Sequence, residues 1–156
     1  MKNKVYIGID PGLSGGLAVF DGMDMLAFNM PQTYPDIYLK LQEIQRHYPN
    51  EELVAILEDV GHGLPGQSSK ATATFARHNG HLEMALYALG IKTVKATPQK
   101  WQKHYSNQLG KSSEHEKKVW KNRLKGLAQS MFPGANVTLY TADAILLAYY
   151  GRKEEL

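Results

Sequence analysis

Cysteine is missing from this 156-residue sequence, which excludes disulfides and thiolate zinc sites and is compatible with a reducing compartment. Long apolar runs are missing as well, since no charge-free stretch approaches the ~18 residues of a membrane-spanning helix. Asp10 interrupts the apolar stretch at the N-terminus, so a secretory leader is not expected there. A water-soluble, cytoplasmic protein without membrane partners is the expectation. Internal repeats, low-complexity tracts and linker-like segments are absent too, so residues 1–156 are expected to form one domain with a sizeable core.

What is scarce differs between regions. Residues 1–60 carry four bases (Lys2, Lys4, Lys40, Arg46) against nine acids. Residues 92–125 reverse this, with ten bases against Glu114 and Glu116, beneath a formal net charge of only +3 for the whole chain. A basic segment meeting an acidic one suits a nuclease, with lysines for phosphates and carboxylates for a metal, although a solvated helical face has the same charges.

Apolar periodicity gives the elements. Strands are expected at about 4–10, 15–20 and 24–29, the first two joined by the turn Pro11-Gly12-Leu13-Ser14-Gly15. A helix at about 35–48 precedes a buried strand, Leu53 to Leu57, that delivers Glu58 and Asp59 at its end. A Gly/Pro/Ser loop from Gly61 to Ser69 leads to a helix at about 70–89, and a strand follows at 91–96. A short helix at 98–105, a polar loop at 106–113, and helices at about 114–131 and 142–150 complete the chain. Three antiparallel strands followed by parallel strands separated by helices make a mixed α/β sheet.

An acid is a poor strand residue, because burying a carboxylate is costly unless it is paired or binds a cation. Asp10 and Glu58 each end an apolar strand, and Asp143 opens an apolar helix. Taken singly, each has an ordinary explanation, Asp10 as a turn former before Pro-Gly and Asp143 as an N-terminal helix acid. Three carboxylates converging from separate elements need divalent cations between them. Hard oxygen ligands point to Mg²⁺, with Mn²⁺ as a substitute. Two ions would activate a water and stabilise the leaving oxygen of a phosphodiester.

Ile7-Gly8-Ile9-Asp10-Pro11-Gly12 resembles the first motif of the RuvC family of Holliday-junction resolvases. Ala55-Ile56-Leu57-Glu58-Asp59-Val60 resembles its second motif, and Ala142-Asp143-Ala144 its last. The segments Pro65 to Ser69, Phe75 to Glu83, Ala96 to Trp101 and Met131 to Pro133 resemble its compact, phage-type branch. The likeness runs over nearly the whole chain in the family's order. It implies a ribonuclease-H-like fold with a five-stranded mixed sheet flanked by helices, a homodimer, and Mg²⁺-dependent cutting of branched DNA at four-way junctions.

Two departures stand out. Where the family has an acid or histidine one helical turn before its last acid, this chain has Tyr140. Either three carboxylates suffice, or Asp59 or a nearby histidine compensates. Where the family often has a base-stacking aromatic, this chain has Gly61-His62-Gly63-Leu64, which leaves that role to His62 or Leu64.

The lysines sort by helical geometry. Trp120, Leu124, Leu127 and Met131 form one stripe, and Lys117, Lys121 and Lys125 recur along an adjacent face with Lys118 beside them. Lys103 and Lys121 match family positions that resemble DNA-contacting and active-site lysines. Lys121 is thus a catalytic candidate, with Lys103, Lys117, Lys118, Lys125, Lys70 and Arg77 as further DNA contacts. Trp101 and Trp120 are expected to be core anchors, and His78 a packed or edge histidine. Gly80 inside a helix suggests close packing of another backbone, and makes that helix a candidate dimer interface.

Three function classes follow. One is a junction-resolving endonuclease. Another is a weakened branched-DNA-binding module, or a general structure-selective nuclease, of the same fold. The third is an actin-like or sugar-kinase ATPase, whose phosphate turn Gly8 to Gly12 also resembles, but which needs two such domains and a second phosphate loop.

Overall fold

The computed structural model describes residues 1–61 and 66–156. Five strands form one sheet: β1 (Lys4–Asp10), β2 (Gly16–Phe20), β3 (Met25–Asn29), β4 (Glu52–Glu58) and β5 (Lys92–Ala96). Their spatial order is β3-β2-β1-β4-β5. The first three are antiparallel neighbours, whereas β1 with β4 and β4 with β5 run parallel. This is the mixed α/β arrangement expected from the sequence.

The helices are α1 (Tyr34–His47), α2 (Ser69–Ala88), α3 (Pro98–Lys103), α4 (Ser106–Leu109), α5 (Lys117–Met131) and α6 (Ala142–Lys153). Side-chain caps fix three of the starts: Thr33, Ser68 and Thr97 accept hydrogen bonds from the amides of Asp36, Ala71 and Lys100. The polar loop expected at 106–113 instead contains α4, followed by a 3-10 turn at Ser112–Glu114. α4 is held by tertiary contacts, with Leu109 buried and its carbonyl accepting from Arg123 at 2.8 Å. In consequence α5 starts at Lys117 rather than near 114, while α6 runs on to Lys153.

Strand alternation divides the core into two layers. Val5, Ile7, Ile9, Leu17, Leu53, Ala55 and Leu57 pack with α1 and α2 residues such as Leu41, Leu82 and Leu86. Tyr6, Ala18, Val54, Ile56 and Ala96 face the other layer, with Ile145, Leu146 and Leu147 of α6, Trp101 and Trp120. Gly8 makes this second layer unusually thin. A Cβ built on Gly8 would run into the carbonyl oxygen of Ala144 and the backbone nitrogen of Ala148. The backbone of α6 therefore rests directly on β1.

Gly80 lies on the exposed side of α2. Among the described residues, nothing lies within 4 Å of the place its Cβ would take. No close backbone packing is made there among the described residues.

Candidate active site

Parity along the strands decides where the acids point. Asp10 shares a face with Tyr6 and Gly8, and Glu58 shares one with Val54 and Ile56, so both turn toward α6. Parallel pairing of β1 with β4, in register up to Ile9 opposite Leu57, sets their two ends side by side. Asp143 sits in the first turn of α6, which a buried clamp holds in place. Thr141 Oγ1 donates to the Asn136 carbonyl at 2.6 Å and accepts from the Thr138 amide at 2.9 Å. With α6 lying directly on Gly8, one oxygen from each of Asp10, Glu58 and Asp143 falls within 4.8 Å of the others.

Such a cluster cannot hold three full charges easily. Burial, then the charges of Asp143 and Glu58, push the Asp10 carboxyl well above the usual carboxylate range. Burial and Asp143 raise Glu58 to about 7, against a hydrogen bond from Trp101 and the charge of Lys121. Asp143 is raised to about 6 by burial, with Lys121 opposing. Lys121 thus counters all three acids. In cation-free protein the cluster retains protons near neutral pH, and a divalent ion would take their place. A donor set of three hard oxygens from three rigid elements fits Mg²⁺ or Mn²⁺.

The other candidates separate. A 640 Å³ cavity beside the cluster is lined by Asp10, the turn from Pro11 to Gly15, Lys70, Phe75, His78 and Lys121. Its turn depends on Gly12, whose φ of +108° disfavours any side chain. Lys103 lines a different cavity with Lys111, Gln102 and Trp120. Lys117 and Lys118 are exposed on α5, Lys125 is half-buried there, and Arg77 is exposed on α2. None of these is among the charges acting on the acids. Asp59 is exposed, follows Glu58 on the strand with opposite parity, and accepts a hydrogen bond from the Gly61 amide, so it stands outside the cluster. His62 and Leu64 lie outside the described residues. Tyr140 is 46% exposed and is not a member of the cluster.

Two features had no sequence signal of the kind sought. Trp101, expected as a core anchor, is indeed fully buried, yet its indole Nε1 also donates to Glu58 Oε2 at 2.6 Å. His78 is buried as expected, its Nε2 has no partner among the described residues, and burial lowers its pKa.

Solved structures share this architecture. Thermus thermophilus RuvC in complex with a Holliday junction substrate superposes with a TM-score of 0.61 at 16% identity, covering 97% of this chain and 96% of that one. The chain has the RuvC fold. A second structure of Thermus thermophilus RuvC gives a TM-score of 0.59 at 15% identity, again covering 97% and 96%. Yeast mitochondrial Holliday junction resolvase Ydc2 superposes more weakly, with a TM-score of 0.48 at 10% identity over 96% and 76%. The sequence matches no family model and has no significant match among curated proteins. The RuvC likeness therefore lives in the three-dimensional path of the chain.

Proposed function

We propose that this protein is a Mg²⁺-dependent endonuclease that resolves four-way DNA junctions by paired phosphodiester hydrolysis. The observation that carries the reading is the convergence of Asp10, Glu58 and Asp143, from two parallel strands and one helix, within 4.8 Å. Bound to RuvC, a Holliday junction is the substrate in a structure of the same fold. The compact phage-type likeness of the loops and the cytoplasmic setting belong to the same reading.

Divalent ions, two per site, would supply a nucleophilic water and charge stabilisation when bound. The protein's own residues do the rest. Asp10, Glu58 and Asp143 hold the ions; Lys121, whose charge reaches all three, meets the phosphate at the point of cleavage. Lys70, on the wall of the adjoining cavity, meets a neighbouring phosphate. Lys103, Lys117, Lys118, Lys125 and Arg77 extend the contact to the junction arms, and the basic supply favours DNA shape over base reading.

Two symmetric incisions require two sites related by a two-fold axis, which a homodimer supplies. Support comes from an apolar groove of about 460 Å³ between α1 and α2, lined by Tyr34, Tyr38, Leu39, His81, Met84 and Ala88. Exposed Met84 and Tyr87 continue it along α2. Light scattering is expected to give a dimer at micromolar concentration; a monomer that still cuts junctions symmetrically would refute this.

The deciding assay incubates the protein with Mg²⁺ and a labelled four-way junction beside linear duplex. Paired incisions in the junction are expected. Tyr140, at the place of a fourth ligand, favours one competing reading, a binding module, which would retain the junction uncut. Equal action on both DNAs would leave a general nuclease of the same fold.

A further inference from the structure

The reaction as proposed makes no use of Trp101, although its indole is bonded to one of the metal-site acids. Trp101 is fully buried on α3, and its place there is fixed from several sides. Pro98 and the Thr97 cap start that helix, and the Trp101 ring meets Tyr105 edge-on with centroids 6.3 Å apart. Tyr105 in turn donates from its hydroxyl to the Leu146 carbonyl of α6 at 2.5 Å. The indole N–H is thus delivered to Glu58 by a rigid platform that is itself tied to the helix carrying Asp143.

We infer that Trp101 is a positioning residue that selects how Glu58 binds a metal. This inference rests on the metal-site reading above. An indole has a single N–H and no acceptor, so it can bond only a carboxylate oxygen and cannot take the metal's place. With one acceptor site of Oε2 taken by Nε1 at 2.6 Å, the other oxygen of Glu58 is the freer donor, which favours a monodentate ligand. That preference separates cations. Mg²⁺ demands near-ideal octahedral geometry and keeps waters, whereas Ca²⁺ accepts more oxygens and readily takes a carboxylate through both. Partners of this kind behind a metal ligand typically change affinity 10–100-fold. Trp101 therefore biases the site toward the smaller ion.

The test is titration calorimetry of Mg²⁺ and of Ca²⁺ into wild type and Trp101→Phe at one pH, with DNA absent. Mg²⁺ binding is expected to weaken about tenfold or more, with Ca²⁺ binding unchanged or tighter. Loss of both affinities by the same factor would mean that Trp101 serves the core alone, and unchanged affinities would mean that the hydrogen bond is idle. Either result overturns the inference. Should Trp101→Phe not fold, benzothienylalanine placed at position 101 keeps the bicyclic shape and lacks only the N–H, and the same two outcomes decide. Wild type that binds neither ion would instead remove the metal-site reading, and this inference with it.

Discussion

The two faces of the sheet are built on opposite rules. Toward α1 and α2 the strands present Ile7, Ile9, Leu17 and Leu57, which meet Leu41, Leu82 and Leu86 in an ordinary aliphatic layer. Toward α6 the corresponding contact at the centre is Gly8, and the helix answers it with Ala144 and Ala148, while Gly151 lies over Tyr6 and Ile56. Large side chains fill a gap and can be trimmed with a local loss. Small residues bring backbones together and cannot be enlarged without moving an element. The thin face holds Asp143 against Asp10 and Glu58, and the thick face brings no acid to that cluster. A site needing ångström placement is assembled where the packing has least freedom.

The largest expected effect lies at the acids. Asp10→Asn should lower Mg²⁺-dependent cleavage by about a thousandfold or more, with junction binding kept or tightened because repulsion of phosphate is relieved. Cleavage kinetics and gel-shift titration read the two halves separately, and full activity would refute the site. EDTA should abolish cutting in the same assay.

Next comes a pair of one-carbon changes at neighbouring positions on opposite faces. Gly8→Ala adds a carbon where backbone already stands, and should destabilise by about 3 kcal/mol and impair metal binding. Ile7→Val removes one from the thick layer and should cost about 1 kcal/mol with metal binding intact. Urea denaturation and calorimetry measure both. Equal costs would break the contrast between the faces.

A third expectation concerns pH. Glu58 at about 7, Asp143 at about 6 and the raised Asp10 all lie above their unfolded values. Between those limits the native protein holds more protons than the unfolded chain, so cation-free stability from these groups is full below the ordinary carboxylate range and falls as pH rises from there through 6 to 7. Stabilisation by Mg²⁺ should grow over the same interval, since fewer protons remain to be displaced. Thermal melting with and without Mg²⁺ at pH 5 and pH 8, buffer values of about that size, tests the sign. A cation-free protein more stable at the higher pH would contradict it.

The smallest effect is expected on α5. Replacing Lys117, Lys121 and Lys125 with alanine together should reduce the salt dependence of junction binding by roughly two to three in the slope of log K against log salt. Gel shifts at several salt concentrations measure this, and an unchanged slope would place the phosphates elsewhere.

Local pattern made the strands, most of the helices and the three acids readable, because each acid terminates or opens an apolar run whose period is visible in a few residues. Lys121 was reachable from helical spacing together with the RuvC motif order. The bond between Trp101 and Glu58 was not, since 43 residues separate the partners and an indole in a core position has no polar signature. Nor were the turns at Ser106–Leu109 and Ser112–Glu114, which are too short to form by propensity. At Gly80, helical glycine meets no close approach among the described residues. A signal for the α6 seam was present and went unused: Ala144, Ala148 and Gly151 recur on one helical face opposite Gly8.

That seam has an evolutionary corollary. In most metal centres, ligand spacing can drift while the core is repaired elsewhere by compensating changes in size. Here the spacer between the strand that ends in Asp10 and the helix that begins beside Asp143 is a residue with no side chain, so there is nothing left to shorten and no room to lengthen. On the metal-site proposal, variants retuned for another ion would change the identity of a ligand or the partner behind it, because Gly8 leaves the separation no room to adjust.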